Sequence, residues 1–140
     1  MLPHNLGVFG LYSSSILGGH YDWLTHFLGF FFLTIFLVFI IHRYFTKKIA
    51  HALFIAFVLA ITYGTFMEVT EYWGFIAFGW GEGYLQFGDG DNSENFGPWE
   101  NSSIDSTINI IASVVGIFAY LYSYNISQMI KRKRKKRISQ

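Results

Sequence analysis

The chain has 140 residues, of which 52% are hydrophobic and 21% aromatic, and its formal net charge is +1. Only 14% of the residues are charged, against roughly 25% in a soluble domain, so the composition argues against a soluble globular protein and favours a membrane protein. The length suits a single domain. The absence of cysteine excludes disulfides and thiolate metal sites.

Three apolar segments are long enough to cross a bilayer as helices, which takes about 20 residues. They cover residues 23–41, residues 49–66 continuing toward Phe78, and residues 105–124. Because hydrocarbon offers backbone polar groups no partner outside a helix, we predict an all-α fold, an integral membrane bundle of three transmembrane helices. The bundle would occupy residues 22–124, between an N-terminal segment at 1–21 and a basic tail at 125–140.

The basic residues indicate how the bundle is oriented. Arg43, Lys47 and Lys48 lie between the first two spans, and the other seven Lys and Arg form the basic run, 131-KRKRKKR-137. Since Lys and Arg are enriched in cytoplasmic loops, we predict a multi-pass protein of the cell membrane with its N-terminus outside and its C-terminus in the cytoplasm. The connection at 79–104 would then be an outer loop.

Each predicted span carries a pair of polar residues on one helix face, three or four positions apart. The pairs are Asp22 and His26, Glu68 and Glu71, and Asp105 and Asn109. Counted from the basic anchors at about 1.5 Å per residue, all three pairs lie at a similar depth, near the outer edge of the hydrocarbon. Ionisable residues in membrane spans usually face the protein interior, so we predict that the pairs converge on one site.

The predicted site holds four carboxylates and one imidazole without a nearby Lys or Arg, so protons or a bound cation must neutralise it. Carboxylates with one imidazole suit Mg²⁺, Mn²⁺, Zn²⁺ or iron. The predicted ligands of a divalent metal ion are His26, Glu68, Glu71 and Asp105. Asp22 would orient His26, Asn109 would support the site, and the ion would activate water for hydrolysis of a lipid-linked or cell-envelope substrate. Without a metal, Asp22 and His26 would form a catalytic acid–base dyad.

Three motifs in these spans, 21-YDWLTHFLGFF-31, 67-MEVTEYWG-74 and 104-IDSTINIIASVVG-116, resemble the YjdF-like inner-membrane proteins, which are related to the VanZ-like group. The first motif of that family has the pattern D-x-x-x-H-F and matches Asp22, His26 and Phe27. The second has the pattern E-x-x-E-W and matches Glu68 and Glu71, with Tyr72 and then Trp73 where the family has Trp.

The third family motif has the pattern W-D-x-x-x-D followed by a glycine, and it matches Asp105 and Gly116. Asn109 replaces the second aspartate of the YjdF-like pattern, a change also found in VanZ-like members, and it removes one anionic ligand. The resemblance covers residues 20–120 and implies an integral membrane protein distinguished by these acids. The association of VanZ-like proteins with glycopeptide resistance implies cell-envelope chemistry.

Simpler interpretations of the same residues stay open at this point. Glu68 and Glu71 would be interfacial, pointing at headgroups and water, and His26 would be a packing histidine. Whether the protein is an enzyme is therefore undecided by the sequence.

The third pair also has structural alternatives. Asp105 would cap the start of the third helix, a role open equally to Ser102 and Ser103. Asn109 is better suited to a hydrogen bond between helices than to metal ligation.

Two further functions compete with the metal site. The first is a non-catalytic accessory subunit of a larger membrane protein complex or a homo-oligomer, in which the acids pair across an interface. The second is proton or cation transfer, which has less support because the polar residues form one outer group rather than a stripe across the membrane. The basic run predicts binding to anionic headgroups of membrane lipids, and without a folded basic domain no nucleic-acid partner is expected.

Overall fold

The computed structural model describes residues 21–78 and 98–139. Helix α1 covers Tyr21–Ile40 and continues as a π-helical turn at Ile41–Phe45, helix α2 covers Ile49–Phe78, and helix α3 covers Pro98–Ile138. Both described ranges are free of β-strands. All three helices are long and apolar enough to cross a membrane, so the prediction of an all-α bundle of three membrane-spanning helices is confirmed. Most of the predicted segment 1–21 and loop 79–104 lies outside the described residues.

Each helix contains an 18-residue stretch that is strongly apolar, with mean hydropathy between 1.7 and 2.5. A helix of this kind suits a hydrocarbon environment, where outward apolar side chains have no water to avoid. Only 22% to 28% of each span is buried within the protein. Large side chains such as Phe32, Phe54 and Phe118 therefore point outward, where lipid would cover them.

The connection between α1 and α2 is short and hydrogen-bonded. The amide of Thr46 donates to the carbonyl of Ile41 at 2.9 Å and closes the π-helical turn. The amide of Lys48 donates to the Thr46 hydroxyl at 3.2 Å, and the carbonyl of Lys48 accepts from the first turn of α2. Three basic residues, Arg43, Lys47 and Lys48, are exposed at this end of the bundle.

The interior of the bundle is built from residues four apart on each helix. On α2 the buried positions are small, at Ala52, Ala56, Ala60 and Gly64. Small residues let helix backbones approach closely in a membrane. Against them α1 places Phe30, Thr34 and Val38, all fully buried, and it packs mainly on α3.

Helices α1 and α3 approach closely at Gly116. A Cβ added at this position would lie 2.8 Å from the backbone carbonyl oxygen of Phe31 and 3.3 Å from the Cβ of Thr34. The Phe31 carbonyl and the Thr34 Cβ are both fixed to the backbone of α1, so a larger residue than glycine would fit here only if a helix moved. This contact does not depend on a G-x-x-x-G pattern.

Helix α3 starts earlier than the sequence predicts. Residues 98–104, expected to belong to the outer loop, are helical. Pro98 is compatible with this start, because the N–H that proline lacks has no hydrogen-bond partner in the first turn of a helix. Asp105 thus lies in the second turn, and the Ser103 hydroxyl donates to the carbonyl of Trp99 at 2.7 Å. The expectation that Asp105, Ser102 or Ser103 caps this helix is therefore wrong.

Helix α3 also extends further than its predicted span. It continues through the basic run to Ile138, and every residue from Met129 to Ser139 is exposed. The 41 residues of this helix correspond to about 60 Å, roughly twice the hydrocarbon thickness. The C-terminal part of α3 therefore extends beyond the packed part of the three-helix bundle.

Candidate functional site

The interior faces of the three helices each bring a polar residue to the same level. On α1, His26 lies one turn before Phe30; on α2, Glu68 continues the small-residue positions one turn after Gly64. On α3, Asn109 lies two turns before Gly116. His26, Asn109 and Glu68 meet there, and we refer to them as the polar cluster.

Asn109 connects the other two members of the polar cluster. Its Oδ1 lies 3.1 Å from Nδ1 of His26, and its Nδ2 donates to Oε1 of Glu68 at 3.2 Å. The same Glu68 oxygen lies 3.5 Å from His26 Nδ1. One amide thus joins an imidazole on α1 to a carboxylate on α2.

These contacts determine which His26 nitrogen carries a proton. The carbonyl Oδ1 of Asn109 only accepts hydrogen bonds, so His26 Nδ1 is the donor. The reverse amide orientation would set Oδ1 against the Glu68 carboxylate and is disfavoured. In the neutral ring the lone pair is then on Nε2, which is the nitrogen able to take a proton or bind a metal.

The polar cluster is almost completely removed from the surface. The exposed fraction is 3% for Glu68 and 2% for Asn109, and 11% for the His26 side chain. A charge in such a position needs hydrogen bonds or an opposite charge nearby. The Asn109 amide supplies a hydrogen bond to Glu68, and Nδ1 of His26 lies 3.5 Å from the same carboxylate oxygen.

The remaining predicted site residues lie one turn from the polar cluster. Asp105 is 1% exposed and precedes Asn109 on the same face of α3, while Glu71 is half-buried on α2. Asp22 belongs to the first turn of α1, but its side chain lies outside the described residues. Its predicted role in orienting His26 therefore stays a prediction.

The predicted metal ligands are only partly assembled. His26 and Glu68 are in contact, but within residues 21–78 and 98–139 no three His, Cys, Asp or Glu side chains are grouped closely enough to hold a metal ion. Asn109 is within hydrogen-bond distance of both of these expected ligands. The metal site with His26, Glu68, Glu71 and Asp105 as ligands stays a prediction.

Below the polar cluster, toward the bundle interior, the space is closed by an aromatic ring. Phe30 is fully buried, and its ring centroid lies 6.1 Å from that of Tyr63. A Cβ added at Gly64 would lie 2.9 Å from Cε1 of Phe30 and 3.4 Å from Nδ2 of Asn109. Gly64 thus leaves room for both the ring and the amide.

On its other side the polar cluster lies beneath an aromatic group that joins α2 to the start of α3. The ring of Tyr72, one turn after Glu68, makes an edge contact with Trp99 at 5.4 Å and another with Trp73 at 5.8 Å. Trp73 and Trp99 are 57% and 65% exposed. Aromatic residues of this kind prefer the membrane–water interface, which places the polar cluster near one edge of the hydrocarbon.

Two buried hydroxyls continue the polar side of the α1–α3 interface, and the sequence did not single them out. Ser113 is fully buried, and its hydroxyl donates to the backbone carbonyl of Asn109 at 2.8 Å. Thr34 is also fully buried, and among the described residues its hydroxyl makes no hydrogen bond. Serine and threonine are common in apolar helices, so their spacing carried no signal.

Of the three pairs predicted to converge, one member of each, His26, Glu68 and Asn109, is in contact with the others, so the prediction is confirmed for these three residues. The interpretations of Glu68 as an interfacial residue and of His26 as a packing histidine do not describe these contacts. Asn109 forms hydrogen bonds between helices, as its side-chain chemistry predicts.

No protein-family model, no curated protein and no solved structure matches this chain. The resemblance to the YjdF-like and VanZ-like proteins stays a prediction.

Proposed function

We propose that the polar cluster is a reaction site within the membrane, in a small polytopic protein that acts on a lipid-linked or cell-envelope substrate. The observation that carries the proposal is the bridge that Asn109 makes between His26 and Glu68. Ionisable residues inside a membrane are expensive to bury and generally serve a function. An oriented histidine beside a carboxylate is an arrangement used in proton transfer.

In this proposal His26 is the proton-transferring residue. Asn109 holds Nδ1–H, so Nε2 is presented as the base, and it would take a proton from water as the water oxygen attacks the substrate. The same nitrogen would return the proton to the leaving group. Glu68, 3.5 Å from Nδ1, would stabilise the imidazolium formed between the two steps.

The proposal also includes a bound divalent metal ion, and it does not specify which metal. His26 and Glu68 would supply two ligands, and Asp105 and Glu71, each one turn from the polar cluster, would supply the others. The described residues do not group three such side chains, so binding would require these side chains to come closer together. When bound, the ion would supply Lewis-acid activation of water; because it would occupy Nε2 of His26, the proton transfer by His26 belongs to the metal-free site.

The proposed orientation follows from charge. With the basic run and the α1–α2 connection in the cytoplasm, the polar cluster opens toward the outer face, where envelope and lipid-linked substrates are found. The resemblance to VanZ-like proteins supports the same class of substrate. The basic run would also hold anionic lipid headgroups on the cytoplasmic side.

The test uses membranes from cells that express the protein. Lipid-linked species in these membranes are quantified by mass spectrometry for the wild type, His26→Gln and Glu68→Gln. Glu100→Gln is the matched control, because Glu100 is exposed in the first turn of α3. Relative to membranes without the protein, we expect the wild type and Glu100→Gln to change the abundance of the same lipid-linked species. Neither His26→Gln nor Glu68→Gln should produce this change. Equal lipid profiles for all four proteins would contradict the proposal.

Metal content is measured separately by elemental analysis of detergent-purified protein. We expect the wild type and Glu100→Gln to hold one metal ion per chain and Glu68→Gln to lose it. A wild-type protein without metal would remove the ion from the proposal and leave the proton transfer by His26.

A second candidate function is an accessory subunit without chemistry of its own. It is favoured by the hydrogen bonds that the members of the polar cluster make to one another. A network of this kind can hold helices together without taking part in a reaction. Mild-detergent purification distinguishes the two. A stable assembly with other proteins, whose composition changes in Asn109→Ala while lipid profiles do not, would favour the subunit.

A further inference from the structure

The C-terminal part of α3 carries a shallow, open groove at the other end of the bundle from the polar cluster. Its volume is about 410 Å³, and it is lined by five residues of one helix. They are Tyr124, Asn125, Gln128, Met129 and Arg132. We refer to this feature as the headgroup groove, for the reasons given below.

The position of the headgroup groove along α3 relates it to the lipid headgroups. Tyr124 makes an edge contact with His42, with ring centroids 5.3 Å apart, at the end of α1. Arg132 follows Asn109 by 23 residues, or about 35 Å along the helix, whereas the hydrocarbon is about 30 Å thick. With Asn109 near one hydrocarbon edge, Arg132 lies just past the other.

The lining of the headgroup groove is rich in hydrogen-bond donors and carries positive charge. Arg132 offers a planar guanidinium suited to bind phosphate oxygens in pairs. The amides of Asn125 and Gln128 and the hydroxyl of Tyr124 add neutral donors. No acid lines the groove, while Met129 and the Tyr124 ring add apolar surface.

We propose that the headgroup groove binds the phosphate of an anionic phospholipid. Arg132 and the amide of Gln128 hold the phosphate, and Met129 contacts the first carbons of the acyl chains. The lining combines a phosphate-binding cation with apolar surface at Met129 and the Tyr124 ring, and a headgroup with attached chains presents both matching chemistries. The proposal does not rest on the reaction at the polar cluster, and it differs from general attraction to the basic run because it assigns the lipid to one face.

The geometry of the helix provides a matched pair of arginines. At about 100° per residue, the five lining residues occupy one arc of about 140°. Arg134 lies about 150° from the middle of this arc, close to the opposite face. Arg132 and Arg134 therefore contribute equally to the charge of the basic run but unequally to the headgroup groove.

The experiment measures phosphatidylglycerol binding to the detergent-purified full chain by native mass spectrometry, at 0.15 M salt. We expect Arg132→Gln to weaken binding about tenfold, as for a lost hydrogen bond to a charged group. Arg134→Gln should weaken it by less than about twofold. Gln128→Leu changes no charge and should weaken it several-fold. All three positions are at or near the exposed end of α3, so the bundle stays folded.

Three results would overturn the proposal. The first is an equal loss of binding in Arg132→Gln and Arg134→Gln, which would mean attraction to the basic run as a whole. The second is displacement of the lipid by an equal concentration of inorganic phosphate, which would assign the groove to a soluble anion. The third is wild-type protein that retains phosphatidylcholine as strongly as phosphatidylglycerol.

Discussion

Asn109 Nδ2 donates a hydrogen bond to Glu68 Oε1 at 3.2 Å, and both residues are at least 97% buried. This contact joins α2 to α3, and the other atom of the same amide reaches His26 on α1. Each group depends on the others, because a buried donor or acceptor that loses its partner is destabilising by about 1–3 kcal/mol. The polar cluster should therefore behave as a unit when one member is removed.

Asn109→Ala is expected to lower the free energy of unfolding in detergent by about 2–4 kcal/mol, since it removes partners of two buried groups. The cluster variants Glu68→Leu and Asn109→Ala together should be less harmful than the sum of the two single changes. We expect a coupling of about 0.5–3 kcal/mol. Thr107→Ala, an exposed change on the same helix, serves as the control; additive effects of the first two would contradict the bridge.

Gly116→Ala is expected to separate α1 from α3. The added methyl would lie 2.8 Å from a backbone carbonyl, that of Phe31, and cannot be accommodated by turning a side chain. We expect a loss of stability of about 1–3 kcal/mol, measured by thermal unfolding in detergent. Ser123→Thr adds a methyl group to an exposed position of α3 and should change stability little.

Gly64→Ala should be milder than Gly116→Ala, although its added methyl lies almost as close to a neighbour. That neighbour is the outer edge of the Phe30 ring, which can tilt, and alanine favours the helix over glycine by about 1 kcal/mol. We expect a change in stability within about 1 kcal/mol of zero. A loss equal to that of Gly116→Ala would show that Phe30 is held rigidly against the polar cluster.

Thr34→Val is expected to stabilise the protein. The Thr34 hydroxyl is fully buried and has no hydrogen bond among the described residues, and valine replaces it with a methyl group of similar shape. Relieving a buried hydroxyl should raise the free energy of unfolding by about 1 kcal/mol. Ser113→Ala is the contrasting change and should be neutral or destabilising, because it deletes a hydrogen bond to Asn109.

The orientation in the membrane can be measured directly because the chain contains no cysteine. Single variants Ser139→Cys and Ser93→Cys are treated with a membrane-impermeant thiol reagent in intact cells and in inverted vesicles. We expect Ser139→Cys to react only in inverted vesicles and Ser93→Cys only in intact cells. The opposite pattern would place the polar cluster near the cytoplasmic face and remove the argument for an envelope substrate.

The three spans could be predicted because length and hydropathy determine them, and the polar cluster because few polar residues occur at that depth. The inward direction of α2 is visible in the small residues that precede Glu68 at four-residue intervals. The start of α3 was not predictable from composition. Asn101, Ser102 and Ser103 favour turns, yet they lie in a helix whose inner face is already packed.

The crossing of α1 and α3 at Gly116 also escaped prediction, since helix rotation and crossing are set by packing across elements rather than along one of them. The four-ligand metal site illustrates the same point. Its members share one depth, but Asn109 contacts both His26 and Glu68, and no spacing in the sequence indicates which side chain takes this bridging place.

The small residues of α2 recur every four positions, and this repetition leaves the vertical position of the helix weakly defined. If α2 slid by four residues, about 6 Å, Ala56 would replace Ala52, Ala60 would replace Ala56 and Gly64 would replace Ala60, with little loss of packing at these three positions. Glu68 has no equivalent position to move to, because its partners Asn109 and His26 occur at one level of the bundle only. A single polar contact within an apolar seam can set the register of helices, and the Glu68–Asn109 bond would do so here.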